Sequence, residues 1–264
     1  MQRNLLITCL LTFFLIGCSS TPYKGDDEDS PSVTGLTAAE IYQDAKTNLN
    51  NANYDLAIQL YEKLEANFPY GNYATRAQME VAFAYYKAGE YETAVLAAER
   101  FIKLHPNHAN VDYAYYLRGL AGYTMTESWL GKLFNQDPTE RDPRAARSSF
   151  QFFSELVKKF PKSRYAKDAV QRMIHLRNGL AKHEIHVADY YFKRDAWPAA
   201  VNRCKYIVEN FQQTPAVADA LALMVKSYRK LEKPKLADDA LRVLEKNHPD
   251  FPELAQLKSG TLAQ

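Results

Sequence analysis

The same short pattern is written five times along this chain, and such a repeat leaves few folds open. "NNANYDLAIQLYEKLEANFP" ends at Pro69, "YKAGEYETAVLAAERFIKLHP" at Pro106 and "AARSSFQFFSELVKKFP" at Pro161. "RDAWPAAVNRCKYIVENFQ" ends at Gln212 and "KPKLADDALRVLEKNHP" at Pro249. Tyr54, Tyr91 and Trp197 share one column, where the fifth copy has Pro234. Ala57, Ala94, Ala200 and Ala237 share the next, with Ser149 in the third copy. Apolar residues fall at helical spacing, as in Ala57, Leu60, Tyr61 and Leu64. The small column lets a second helix approach the one before it, and the closing proline ends that helix. Glycine is scarce, at 10 residues, and the alternation of β-branched residues that marks strands is missing.

The spacing between copies refines this. Pro69 to Pro106 and Phe211 to His248 are each 37 residues, whereas His105 to Phe160 is 55 and Phe160 to Phe211 is 51. The second excess is close to four helical turns, so a longer helix absorbs it and keeps its buried face in phase. Arg164 to Arg194 contains no proline and predicts that helix. The first excess falls near Thr126 to Asp142, which holds Gly131 and Pro138 and reads as a loop with a short amphipathic turn at "SWLGKLF".

The pattern resembles the tetratricopeptide repeat, with its A-x₃-F and terminal proline over about 34 residues. The first-helix Trp and Gly of that repeat are poorly kept. The resemblance implies an all-α superhelical solenoid of five helix pairs, with a concave surface lined by the first helix of each pair. "VAFAYYKAG" and "VDYAYYLRGL" put aromatic pairs on two first helices. Tyr86, Tyr115, Tyr116 and Arg118 are therefore candidates to line a groove for an extended peptide, since Tyr and Arg dominate binding hot spots. Helical period alone does not assign the face.

The amino-terminal part reads differently. Leu5 to Ile16 is an apolar run of 12 residues after Arg3, too short to span a bilayer and shaped like an export signal. Its end, Leu15-Ile16-Gly17-Cys18, resembles the lipobox of bacterial lipoproteins. That resemblance implies cleavage before Cys18, acylation of Cys18, and sorting to the outer membrane, because Ser19 is not aspartate. Several acyl chains make such an anchor lasting. Ser19 to Thr34, with "GDDEDSPS" at its centre, buries too little apolar surface to fold and predicts a disordered tether. The expected organisation is a signal peptide over 1–17, lipidated Cys18 and tether over 18–36, the solenoid over 37–250 and a tail over 251–264. With Cys9 discarded and Cys18 acylated, Cys204 has no disulfide partner.

Candidates for chemistry are few. "HEIH", His183 to His186, fails the zinc-protease pattern because Val187 stands where the second histidine belongs. Cys204 falls in the A-x₃-F column and reads as a small core residue rather than a nucleophile. Asp26 to Asp29 lie in the tether, with nothing rigid to set their geometry. No catalytic residue, metal ligand or cofactor is expected, and the formal net charge of +2 gives no case for nucleic acid.

Four stretches carry a longer resemblance: "NFPYGNYATRAQMEVAFAYYKAGEY", "HPNHANVDYAYYLRGL", "RDPRAARSSFQFFSELVKKFPKSRYAKDA" and "LAKHEIHVADYYFKRDAWPAAVNR". From about Ile41 to Tyr228 the chain resembles the BamD family of outer-membrane β-barrel assembly lipoproteins. The resemblance implies a non-enzymatic subunit, lipid-anchored to the outer membrane and facing the periplasm. Its implied partners are the BamA periplasmic domains at the C-terminal repeats, BamC along the N-terminal part, and other assembly-complex lipoproteins. Unfolded outer-membrane proteins are implied to signal to the N-terminal repeats. "AWPAAVNR" carries over Arg203 as a BamA-facing residue, although Pro198 and the longer tail depart from the family. Val201, Cys204, Ile207 and Val208 form one helical stripe, so Arg203 is expected to point away from the core. On that reading Arg203→Glu weakens BamA binding and spares the melting temperature. The alternative is a tetratricopeptide lipoprotein adaptor for peptidoglycan enzymes or cell division.

Overall fold

A helix pair with one apolar seam must stack on a neighbour, and the chain does this in order. The computed structural model describes residues 33–126, 139 and 142–260. The signal, Cys18, most of the tether and "SWLGKLF" lie outside the described residues. The five pairs are α1 (Ala38–Asn50) with α2 (Tyr54–Asn67), α3 (Asn72–Ala88) with α4 (Tyr91–Leu104), and α5 (Val111–Thr126) with α6 (Arg144–Lys159). Then come α7 (Ala166–Lys193) with α8 (Trp197–Asn210) and α9 (Ala216–Lys230) with α10 (Pro234–Asn247). A short α11 (Leu254–Ser259) follows. All belong to the compact unit Gly35–Gln264. Each helix packs on the next, and first helices also touch first helices, α1 on α3, α3 on α5, α5 on α7 and α7 on α9. The fold is the all-α stack of five tetratricopeptide-like pairs that the repeat predicts, and α7 is the single long helix expected from the second excess.

Local chemistry explains the boundaries. The α1 helix starts at a capping box: the Glu40 N–H donates to Thr37 Oγ1 at 3.3 Å, and the Thr37 N–H donates to the Glu40 carboxylate at 2.8 Å. Four second helices begin at the shared column, Tyr54, Tyr91, Trp197 and Pro234. The turn before each contains one residue in the left-handed region: Ala52 (φ 62°), Gly89 (φ 88°), Asp195 (φ 58°) and Glu232 (φ 56°). The following N–H reaches five residues back, as in Asn53 to the Asn48 carbonyl at 2.9 Å and Lys233 to the Tyr228 carbonyl at 2.9 Å. This closing bond and left-handed residue form a Schellman turn. Only one of the four is glycine, so three L-residues hold a conformation that glycine adopts freely. Ala52→Gly and Glu232→Gly are each expected to stabilise the fold by about 0.5–1 kcal/mol, read as a raised denaturation midpoint.

The small column does what its position predicts. Ala57, Ala94, Ser149, Ala200 and Ala237 are all buried at the seams. Ala94→Leu overfills one of them and is expected to lower stability by about 1–3 kcal/mol, seen as a fall in melting temperature. The third pair approaches more closely still: the Ser149 hydroxyl donates to the Gly119 carbonyl at 2.9 Å. A Cβ on Gly119 would meet the Phe153 ring at 2.6 Å, and one on Gly122 would meet Ser149 Cβ at 3.3 Å.

The last pair needs an end cap, because a stack exposes an apolar face wherever it stops. Residues expected as a tail supply it. Leu257 of α11 is buried against α9 and α10. Arg229 donates to the Leu257 carbonyl at 2.6 Å, and Lys226 pairs with Glu253 at 2.6 Å.

Candidate functional site

First helices line a groove of about 730 Å³ over the N-terminal pairs. Lys46 of α1, Met79, Glu80 and Phe83 of α3, and Asp112 and Tyr113 of α5 form its floor. The α6–α7 connection adds Lys162, Ser163, Arg164 and Tyr165. Lys46 pairs with Glu80 at 2.7 Å, and the Ser163 hydroxyl donates to Asp112 at 2.7 Å. Tyr113 and Tyr165 rings meet at 5.5 Å, and Tyr165 stacks on Tyr116 at 4.7 Å and 16°. Burial pushes the Tyr113 phenol well above its usual range. The groove therefore combines aromatic faces with cationic side chains at one wall.

The four groove candidates separate. Tyr116 reaches the groove's aromatic stack, and its hydroxyl donates to Asp168 at 2.7 Å. Burial and that bond push its phenol up to about 12. Tyr86 is half-buried, with its ring 5.8 Å from Tyr91 and its hydroxyl 3.4 Å from the Thr124 hydroxyl. Tyr115 and Arg118 are only 6% and 8% exposed, so neither offers an open groove surface. Lys159 donates to the Tyr115 hydroxyl at 2.7 Å. Arg118 crosses from α5 to Glu99 of α4 at 3.3 Å and Glu155 of α6 at 2.7 Å, lying over the Phe152 ring at 4.2 Å. These two residues join helices, because adjacent tyrosines on one helix must take different faces.

Arg203 has a partner that its sequence neighbours did not announce. Its Nη1 donates to Glu184 Oε2 at 3.2 Å, and Arg147 Nη2 of α6 donates to Glu184 Oε1 at 3.1 Å. The Glu184 side chain is 3% exposed, whereas those of Arg147 and Arg203 are 50% and 46% exposed. Leu180, Ala181 and Ala188 are the buried neighbours of Glu184 on α7. An acid on an apolar stripe was the available signal, because a buried carboxylate requires cationic partners.

The "HEIH" histidines, one turn apart, hold one residue. His183 Nδ1 donates to the Thr139 carbonyl at 2.7 Å, and His186 Nε2 lies 2.9 Å from the Thr139 hydroxyl. They fasten Thr139 onto α7. Among the described residues, no group of three His, Cys, Asp or Glu side chains is placed to hold a metal ion.

Compared with known proteins, the chain matches the family YfiO, described as "Outer membrane lipoprotein", over residues 35–244. The chain belongs to this family. The YfiO match spans the five helix pairs up to Leu244 of α10 and leaves α11 beyond it. The outer membrane protein assembly factor BamD of Neisseria gonorrhoeae is 43% identical over 253 residues, covering 96% of this chain and 94% of that protein. The same factor of Xylella fastidiosa (strain Temecula1) is 37% identical, covering 95% and 84%. That of Vibrio cholerae is 32% identical, covering 88% and 92%. Among solved structures, the TPR2AB domain of yeast Sti1 aligns with 84% of this chain and 82% of its own, at 14% identity and a TM-score of 0.41.

For a YfiO-family chain, Cys204 is a packing residue. It is buried against Ala181, Ile207 and Ala220, and burial pushes its thiol up to about 12. A thiol with so little thiolate is a poor nucleophile.

Proposed function

We propose that the chain is a non-enzymatic adaptor that helps assemble β-barrel proteins at the outer membrane. Acyl chains on Cys18 hold it to that membrane, facing the periplasm. The C-terminal pairs dock the BamA periplasmic domains, with Arg203 at the contact, and BamC lies along the N-terminal part. Unfolded outer-membrane proteins enter the groove over α1, α3 and α5. The observation that carries this reading is near-full-length similarity to a curated assembly factor, 43% identical over 96% of the chain. The groove supports it: Phe83, Tyr113 and Tyr165 offer apolar faces to an extended peptide, while Lys162 and Arg164 suit its terminal carboxylate.

Co-purification from detergent-solubilised outer membranes tests the partners. The tagged chain is expected to bring down BamA, and enrichment of peptidoglycan enzymes without BamA would favour the other adaptor class. A separate expectation concerns the anchor. Among the described residues no helix is long and apolar enough to cross a membrane. Cys18→Ser is expected to move the chain from the membrane to the soluble periplasmic fraction, or to leave the signal uncleaved, with the helical content unchanged. Fractionation of cells lacking BamA checks this, since tight membrane retention of the cleaved variant there would remove Cys18 as the anchor.

A further inference from the structure

We infer that the middle of α7 carries a receptor for a cationic side chain, an arginine or lysine with its apolar stem, offered by a loop of a folded partner. A pocket of about 550 Å³ opens there. The α7 helix has 28 residues and its partner α8 has 14, so the third pair and the fifth both reach the middle of α7. Met125 of α5, Ala146 of α6, Leu176 and Leu180 of α7, and Pro215 and Ala216 at the start of α9 give the pocket apolar walls.

Gly179 lines this pocket from within α7. Glycine weakens a helix interior, and the close approach of α6 accounts for Gly119 and Gly122. Gly179 is not crowded in that way. Among the described residues a Cβ there would meet Thr139 Cγ2 alone, at 3.8 Å, which is ordinary contact. A side chain at 179 would fit, but it would occupy the pocket. Its absence keeps the space open.

Asp219, in the first turn of α9, supplies the polar end and is open to solvent. Acids in a first turn are ordinarily stabilised by the helix N-terminus. Here burial and the nearby Glu253 carboxylate push the Asp219 carboxyl up from its usual value, against the pull of Lys182. Among the described residues no hydrogen bond or ion pair holds the Asp219 carboxylate. Asp142, bound by the Arg144 N–H at 2.9 Å, adds a second negative charge to the lining. An arriving guanidinium or ammonium supplies the missing partner, and its methylene stem lies along the apolar walls. The volume exceeds what one such side chain fills, so an apolar neighbour on the same loop enters with it. For the partner's identity alone, the inference rests on the reading that the C-terminal pairs dock BamA.

Two measurements on the full mature chain in detergent test it. In the first, n-butylguanidinium is titrated while the methyl signals of Met125, Leu176 and Leu180 are followed. Saturable shifts are expected, with binding about tenfold tighter than that of n-pentanol, which has the stem without the charge. Asp219→Asn should abolish that preference. Gly179→Leu should abolish the shifts from both probes and leave the helical content unchanged. No saturable shift, equal affinity for the two probes, or wild-type binding by Gly179→Leu would overturn the inference. In the second, Kd for purified BamA is measured at low and high salt. Each variant is expected to weaken binding about tenfold at low salt, and Asp219→Asn should also flatten the salt dependence. Wild-type affinity in both variants would overturn the inference and leave the BamA reading standing. Failure of the wild-type chain to bind BamA would overturn that reading, and the probe titration would still decide the pocket. If Gly179→Leu does not fold, the effect of Asp219→Asn on probe preference decides alone.

Discussion

Phe153→Ala is expected to lower the free energy of unfolding by about 3–5 kcal/mol. The Phe153 ring is fully buried on α6 and belongs to the cluster of Val111, Tyr115, Leu156, Ala169 and Leu176. It fills a notch on α5 that exists because Gly119 has no side chain. A Cβ there would lie 2.6 Å from the ring carbons Cδ1 and Cε1. Removing the ring therefore leaves a cavity that the closely apposed α5 and α6 backbones have little room to close. The reciprocal change, Gly119→Ala, forces the ring aside and is expected to cost about 1–3 kcal/mol. In the double variant the new methyl enters space that the ring has vacated. Its loss should then be smaller than the sum of the two, with a coupling of about 0.5–3 kcal/mol. Urea denaturation of the four proteins measures this, and strictly additive losses would show that Gly119 and Phe153 do not share one packing site.

The contrast between that seam and the others shows what a sequence can disclose. Ala57, Ala94, Ala200 and Ala237 recur at one distance from a closing proline or its equivalent, so repetition exposes them, and Ser149 and Cys204 are placed by the same columns. Gly119 and Gly122 belong to one pair only, inside a helix where glycine otherwise weakens the element. Their reason lies on α6. Repetition likewise gave the starts of the second helices, yet it hid the left-handed turn residues, since Ala52, Asp195 and Glu232 are not glycine and only Gly89 signals the conformation. The groove followed from the order of helices, because first helices touch first helices. Its lining did not: Tyr115 and Tyr116 are neighbours in sequence, and one joins Lys159 while the other stacks on Tyr165. Glu184 stood in plain view on an apolar stripe, but its arginines lie 37 residues before it and 19 after it.

Arg203→Glu is expected to destabilise the fold by about 2–4 kcal/mol, approaching the loss on breaking a buried ion pair. The stripe of Val201, Cys204 and Ile207 places Arg203 outside the core, and from that alone a charge reversal should spare the melting temperature. Glu184 changes the expectation. Its carboxylate is 3% exposed and receives Arg203 at 3.2 Å, so the reversal sets a second carboxylate against one that has little water of its own. Arg147 remains at 3.1 Å, which keeps the loss below that of a fully orphaned charge. An ordinary exposed pair would contribute about 0–1 kcal/mol, and the size of the effect separates the two cases. Arg203→Gln removes the attraction without adding repulsion and should cost about 1 kcal/mol. Adding Glu184→Gln to Arg203→Glu should recover part of the loss, because the repulsion disappears while a hydrogen-bonding amide stays on α7. Thermal and urea unfolding of these variants measures each step. A wild-type melting temperature for Arg203→Glu would show that Glu184 does not depend on Arg203. A fall with no recovery in the double variant would place the damage elsewhere on α8.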